Sequence, residues 1–243
     1  MNFTNMFVTT LFVANMFVTV GSMNAAPRSR RERPAKPALS LEGIVATALT
    51  VLHTEGLGKV TMRRLAQELD TGPASLYVYV RNTDELHAAV LDELLGTLGP
   101  VSTEGDWRER LEQQLFAYTR MLFDHPDLAR SALTVRPRGP HYLNLIETLL
   151  ALLDEGEVAR DRAAWGVDVL LQHATATAAE HAGDERPEEW HAVIRALRET
   201  SAAGTHPHIA AVGETLLSGQ PEERLSWAFQ ALITGIERTA VPS

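Results

Sequence analysis

The sequence predicts an all-α protein of about ten helices. Apolar residues recur at helical spacing through nearly every segment after Ser40. No window alternates with period two between Asn-Gly or Asp-Gly turns, the pattern a hairpin needs. Pro73, Pro126, Pro140, Pro187 and Pro221 each stand where a first helical turn tolerates proline. With 243 residues, 45% hydrophobic and 22% charged, the chain has the ordinary globular mixture and room for one large domain or a small and a medium one.

Taken in order, Met1–Ser22 carries no charged side chain, and Asn5-Met6-Phe7-Val8-Thr9 recurs ten residues later as Asn15-Met16-Phe17-Val18-Thr19. It lacks the charged start of a secretory signal. Its apolar stretch is broken by Thr9, Thr10 and Asn15, short of the about 20 apolar residues that a spanning helix needs. The leader is expected to be non-native, with Met23 as a start; a weak membrane anchor ahead of positive-inside arginines is the other reading. Arg28, Arg30, Arg31, Arg33 and Lys36 among prolines then make a basic arm, so residues 1–39 stand outside the fold.

The first helix runs from Leu41 to Glu55, where Gly56 supplies a cap. Thr61 caps a second, short helix, with Val60 and Leu65 placed to staple its entry. A third of roughly two turns starts at Gly72-Pro73, and a fourth runs from the capping box Asn82-x-x-Glu85 to near Leu98. Asp106-x-x-Glu109 opens a helix through Phe123, and Pro126 a short one ending before Pro137. Further helices cover Pro140–Asp154, Ala159–Ala182, Pro187–Glu199 and Pro221–Arg238.

Charge is divided unevenly. Lys and Arg number 22 and Asp and Glu 31, a net charge of −9, yet residues 28–90 hold nine basic side chains against seven acidic. A slightly basic end on an acidic body is a footprint for a polyanion at that end alone. The absence of cysteine removes disulfides, thiolate metal sites and cysteine nucleophiles.

The informative stretch is Thr61-Met-Arg-Arg-Leu-Ala-Gln-Glu-Leu-Asp-Thr-Gly-Pro-Ala-Ser-Leu-Tyr-Val-Tyr-Val80. Two short helices, with Ala66 small where their axes approach, form a helix-turn-helix pattern, whose second helix enters a DNA major groove. Thr-Met-Arg-Arg-Leu-Ala, then Pro-x-x-Leu-Tyr, then Asp-Glu-Leu opening the next helix, resembles the DNA-binding domain of the tetracycline-repressor (TetR) family over Leu41–Leu95. The acidic region from Asp106 onward, with Asp106-Trp107-Arg108-Glu109-Arg110, resembles that family's regulatory domain. Asp70 stands at a turn position that the family usually fills with glycine, and Thr83 where a lysine is frequent. The resemblance implies residues 40–98 as a three-helix helix-turn-helix domain with a connecting fourth helix, and residues 99–243 as a larger helical ligand-binding and dimerisation domain.

Arg63 and Arg64 read either as phosphate ligands or as a solvated helix face. Thr71, Gly72, Ala74, Ser75 and Tyr79 fall on the probable groove face, where Ser bonds base edges and Ala touches a thymine methyl. Tyr77 is expected to pack inward beside Leu76, with its hydroxyl in reach of a phosphate; Thr61 and Thr83, at helix starts, complete the DNA-contact set.

In the body, Tyr118, Met121, Leu122, Tyr142, Leu145, Trp165, Asp168, Val169, Gln172 and His173 mix apolar walls with sparse polar groups, as a ligand pocket does, though each alone also reads as core. Leu225, Phe229, Leu232, Ile233 and Ile236, with Ala228 between them, repeat along the last helix. By resemblance this helix and the alanine-bearing long helix (Ala174, Ala176, Ala178, Ala179) form a dimer interface; the alternative is an intrachain core. His173, His181 and a single Glu188-x-x-His191 fall short of a di-iron set, and no P-loop, His-Glu-x-x-His or Gly-x-Ser-x-Gly occurs. The expectation is a cytoplasmic homodimeric repressor, without cofactor, metal or catalytic residues. It binds a palindromic double-stranded operator and is released by a small, largely apolar molecule. A helical enzyme or metal carrier with a vestigial motif, and a membrane-tethered sensor, are the competing classes.

Overall fold

The computed structural model describes residues 38–181 and 187–242. The expectations for the leader and basic arm lie outside these residues. The described residues from Leu39 onward belong to one compact unit, and among them every regular element is helical.

The N-terminal helices are set by their caps. Ser40 accepts the Gly43 N–H at 3.1 Å and starts α1 (Leu41–Glu55), which ends where Gly56 turns to φ +84°. A 3-10 turn over Leu57–Lys59 leads to Thr61, whose hydroxyl accepts the Arg64 N–H at 3.2 Å and opens α2 (Met62–Glu68). Asp70 takes φ +47°, the left-handed conformation that Asp adopts more readily than most residues, and Thr71 N–H closes back onto the Ala66 carbonyl at 2.8 Å. Helix α3 (Pro73–Leu76) is a single turn, not the two expected. The β-branched and aromatic run Tyr77-Val78-Tyr79-Val80 has low helix propensity and continues only as turn.

Asn82 opens α4 (Thr83–Leu95) by accepting the Glu85 N–H at 2.8 Å. The reciprocal bond of the expected capping box goes one residue earlier, from Arg81 N–H to the Glu85 carboxylate at 2.6 Å. Ile44, Ala48, Leu65, Ala66, Leu76, Val80, Leu86 and Val90, each 0–1% exposed, bind these four helices into one small core.

The body comprises α5 (Trp107–Phe123), α6 (Pro126–Ala132), α7 (Pro140–Glu155), α8 (Arg160–His181), α9 (Pro187–Ala203), α10 (Pro207–Val212) and α11 (Pro221–Arg238). Asp106 and Glu109 form the full capping box of α5. Helix α8 runs through the middle, packed by α5, α6, α7 and α11, and buries Leu170, Ala174 and Ala178 completely. Helices α9 and α10 pack chiefly on each other and on a 3-10 turn, Gly213–Leu217. Neither α10 nor that turn is anticipated from sequence, because six residues after a proline carry too little periodicity to register.

Candidate functional site

In the helix-turn-helix, exposed residues lie on both sides of the buried Leu76, over 72–75 and 77–79. On α3 only Leu76 is buried; Gly72, Ala74 and Ser75 are exposed, Thr71 half-buried. Tyr77 is 52% exposed, which corrects the expectation that it packs beside Leu76: a helix of one turn buries one side chain, and Leu76 occupies that place. Val78, 80% exposed and not among the expected contacts, stands beside it. Tyr79 is also exposed, but its hydroxyl donates to the Leu39 carbonyl at 2.7 Å, tying the end of the motif to the start of α1.

The two arginines separate in role. Arg63 is exposed. Arg64 bonds Glu55 at 2.6 Å and Glu68 at 2.8 Å, a clamp between the end of α1 and the end of α2. These hydrogen bonds raise the Arg64 pKa and hold Glu55 below the usual carboxylate range. Thr61 and Thr83 are half-buried at the starts of α2 and α4.

The body holds a small open cleft of ≈ 80 Å³ between α4, α5, the end of α6, the α6–α7 connection, α7 and α8. Of the ten expected pocket residues, Tyr118, Tyr142, Asp168 and Gln172 line it. Met121, Leu122 and Leu145 are instead packed in the core at 8%, 0% and 4% exposure. Trp165 and Val169 lie outside the wall, 59% and 40% exposed. His173 turns toward α11, meeting Phe229 edge-on at 5.6 Å.

In the cleft two groups that helical spacing did not single out, Arg136 and Thr175, partner two that it did. Arg136, in the α6–α7 connection, donates to Asp168 at 2.7 Å, and the Tyr118 hydroxyl is 2.8 Å from that of Thr175. Burial pushes the Tyr118 phenol up to about 12 and raises that of Tyr142, so both are neutral hydrogen-bonding groups at neutral pH. The wall therefore offers two phenols, an amide, a hydroxyl and one ion pair against Leu91, Leu133 and Leu171. That is more polar than the expected lining. Among the described residues no group of three or more His, Asp or Glu is placed to hold a metal ion, and no helix is long and apolar enough to cross a membrane.

The expected dimer residues also divide. Leu225, Phe229 and Ile233 are 8%, 0% and 1% exposed within the single chain, where Phe229 meets Phe116 edge-on at 5.7 Å. They fill the chain's own core, because α11 lies on α5 and α8. Leu232 and Ile236 are half-buried at the edge of that contact. Trp227, 72% exposed, is outside it. On α8, Ala174, Ala178 and Ala179 are buried within the chain and Ala176 is exposed.

Residues 44–90 match the family model for bacterial regulatory proteins of the tetR family, and residues 99–240 that of the tetracyclin repressor-like C-terminal domain. The HTH-type transcriptional repressor DrrR1 of Streptomyces coeruleorubidus is 26% identical over 219 residues, 86% of this chain and 81% of that one. Among solved structures, the Streptomyces transcription regulator SCO7704 is 55% identical, with a TM-score of 0.74 over 86% of this chain and 99% of that one. ActR of Streptomyces coelicolor, solved in complex with actinorhodin, is 33% identical, with a TM-score of 0.70 over 82% of this chain and 96% of that one.

Proposed function

The chain belongs to the TetR family of transcriptional regulators, and from that premise we propose a homodimeric repressor whose two helix-turn-helix heads grip a palindromic operator. A small molecule in the cleft beside α8 releases it. The family is one of DNA-binding regulators, not enzymes. Two sites and one coupling between them make up the mechanism, and neither site performs chemistry.

The observation that carries this reading is the placement of the cleft. Leu91 of α4, the helix that follows directly on the reading motif, forms part of its wall. Occupancy of the cleft therefore bears on the element that carries the DNA-contacting turn. In the DNA-bound state Arg63 supplies phosphate contact, and Ala74, Ser75, Tyr77 and Val78 meet the groove. The effector is a compact amphiphilic molecule, with an apolar body against Leu91, Leu133 and Leu171 and polar groups for Tyr118, Tyr142 and Gln172.

Dimerisation uses the outward side of α11, where Trp227 is exposed. The buried stripe of α11 contributes by fixing that face rather than by crossing the interface. Selection of bound duplexes from random DNA tests the reading. A recovered palindrome of two half-sites about one helical turn apart is expected; recovery of no preferred sequence overturns it.

A further inference from the structure

We propose that Asp92 is a latch that ties the ligand cleft to the DNA-reading helices by capping α7 from α4; the proposal rests on the reading of a ligand-released DNA binder. Helix α7 has no cap of its own, because Gly139 precedes it and offers no side chain. The Asp92 carboxylate, on α4 and 6% exposed, takes that place: Oδ1 accepts the Tyr142 N–H at 2.8 Å and Oδ2 the His141 N–H at 3.4 Å. A buried carboxylate is tolerated when hydrogen-bonded, and the start of a helix favours negative charge. The latch thus holds its two helices together because parting them strands both the carboxylate and the N–H groups.

Two glycines make the approach possible. A Cβ at Gly139 would stand 2.0 Å from Asp92 Oδ2, and one at Gly96, just past the end of α4, 2.8 Å from the His141 ring. At either position a larger residue forces the Asp92 carboxylate or the His141 ring to move.

Tyr142 is the point of transfer. Its backbone N–H is held by Asp92 while its side chain lines the cleft, and six residues upstream Arg136 reaches across to Asp168. A molecule that separates Arg136 from Asp168, or displaces the Tyr142 ring, shifts the first turn of α7. Asp92 carries the shift into α4, and α4 into the motif that precedes it. An open groove of ≈ 590 Å³ between α1, α4 and the α6–α7 connection, with Asp92 in its lining, leaves space for that shift.

The test uses the full chain and the duplex it selects from random DNA. In the wild type, R136A opens the ion pair and weakens binding of that duplex about fivefold or more, the lower end of allosteric couplings. In the D92N background, which keeps the shape and one acceptor but weakens the cap, the same change has less than a twofold effect. G139A, which drives the carboxylate out from the other side, gives the same loss of response. Hydrogen exchange on unmodified protein supplies a readout free of folding defects: duplex binding changes protection of the His141 and Tyr142 amides at least tenfold. Equal effects of R136A in all backgrounds, or unchanged exchange at those amides, overturn the latch while leaving DNA binding intact. A wild type that selects no duplex removes the underlying reading and the latch with it.

Discussion

Ile236 of α11 lies so close to the backbone of Gly166 in α8 that a Cβ at position 166 would come within 2.8 Å of its Cγ2. Helix α11 meets α8 at that point, and a glycine in the middle of a helix is the concession that allows it. Replacing glycine by alanine in a helix interior ordinarily gains up to about 1 kcal/mol, whereas overpacking a well-filled contact costs about 1–3 kcal/mol. Gly166→Ala is therefore expected to lower the denaturant midpoint, against its helix propensity. Adding Ile236→Ala removes the clash, so the double variant should be less destabilised than the two single changes sum to. Strict additivity would show that the helices do not meet at this pair.

Phe229 and Trp227 distinguish core from interface on one helix. Phe229 is fully buried between Phe116 and His173, so Phe229→Ala should cost about 3–5 kcal/mol of stability. Trp227 is outside that core. Trp227→Glu should leave the helical content unchanged and weaken self-association, read by sedimentation over a range of concentrations. If Trp227→Glu sediments as the wild type does, the outward side of α11 is not the interface.

Arg63 and Arg64 are adjacent in sequence yet should differ in DNA binding. Losing one phosphate contact reduces the slope of log affinity against log salt by about 0.9. Arg63→Ala is expected to show that loss on every duplex. Arg64 is engaged by Glu55 and Glu68, so Arg64→Ala should alter the slope less and loosen the α1–α2 junction, seen as faster amide exchange at the end of α1. Identical salt slopes for the two variants would remove this division of roles.

Helix starts were legible wherever a side chain does the capping, as at Thr61 and Asp106, because the cap residue and its partner are close in sequence. The cap of α7 was not, because the carboxylate that accepts its N–H groups, Asp92, lies 50 residues before Tyr142. The same limit governs the cleft. Helical spacing proposed Tyr118, Tyr142, Asp168 and Gln172, but Arg136 and Pro137 lie in a connection without periodicity. The apolar stripe of α11 shows that one side is buried without saying against what, and the fold assigns Phe229 to its own chain. Asp70 was readable from local chemistry alone, since only its own φ had to be accommodated.

Two histidines join the DNA-reading part to the body, and the titration of one of them, His125, gives a prediction with a definite sign. The rings of His53, in the last turn of α1, and His125, before α6, lie 5.7 Å apart. Partial burial lowers the His125 pKa below its ordinary 6.5, and the neighbouring His53 lowers it further, against the opposing pull of Asp124. The unfolded chain therefore takes up a proton at His125 at a higher pH than the folded one does. By linkage, the stability associated with neutral His125 is present above pH 6.5 and is lost as the pH falls through the lowered folded value. Equilibrium unfolding measured from about pH 7 down to about pH 5 should show this decline. His125→Gln should flatten it, and His53→Gln should flatten it by a smaller amount, since burial is the larger cause of the shift. A decline equally steep in His125→Gln would mean that other groups titrate in that window and that the ring pair has no part in it.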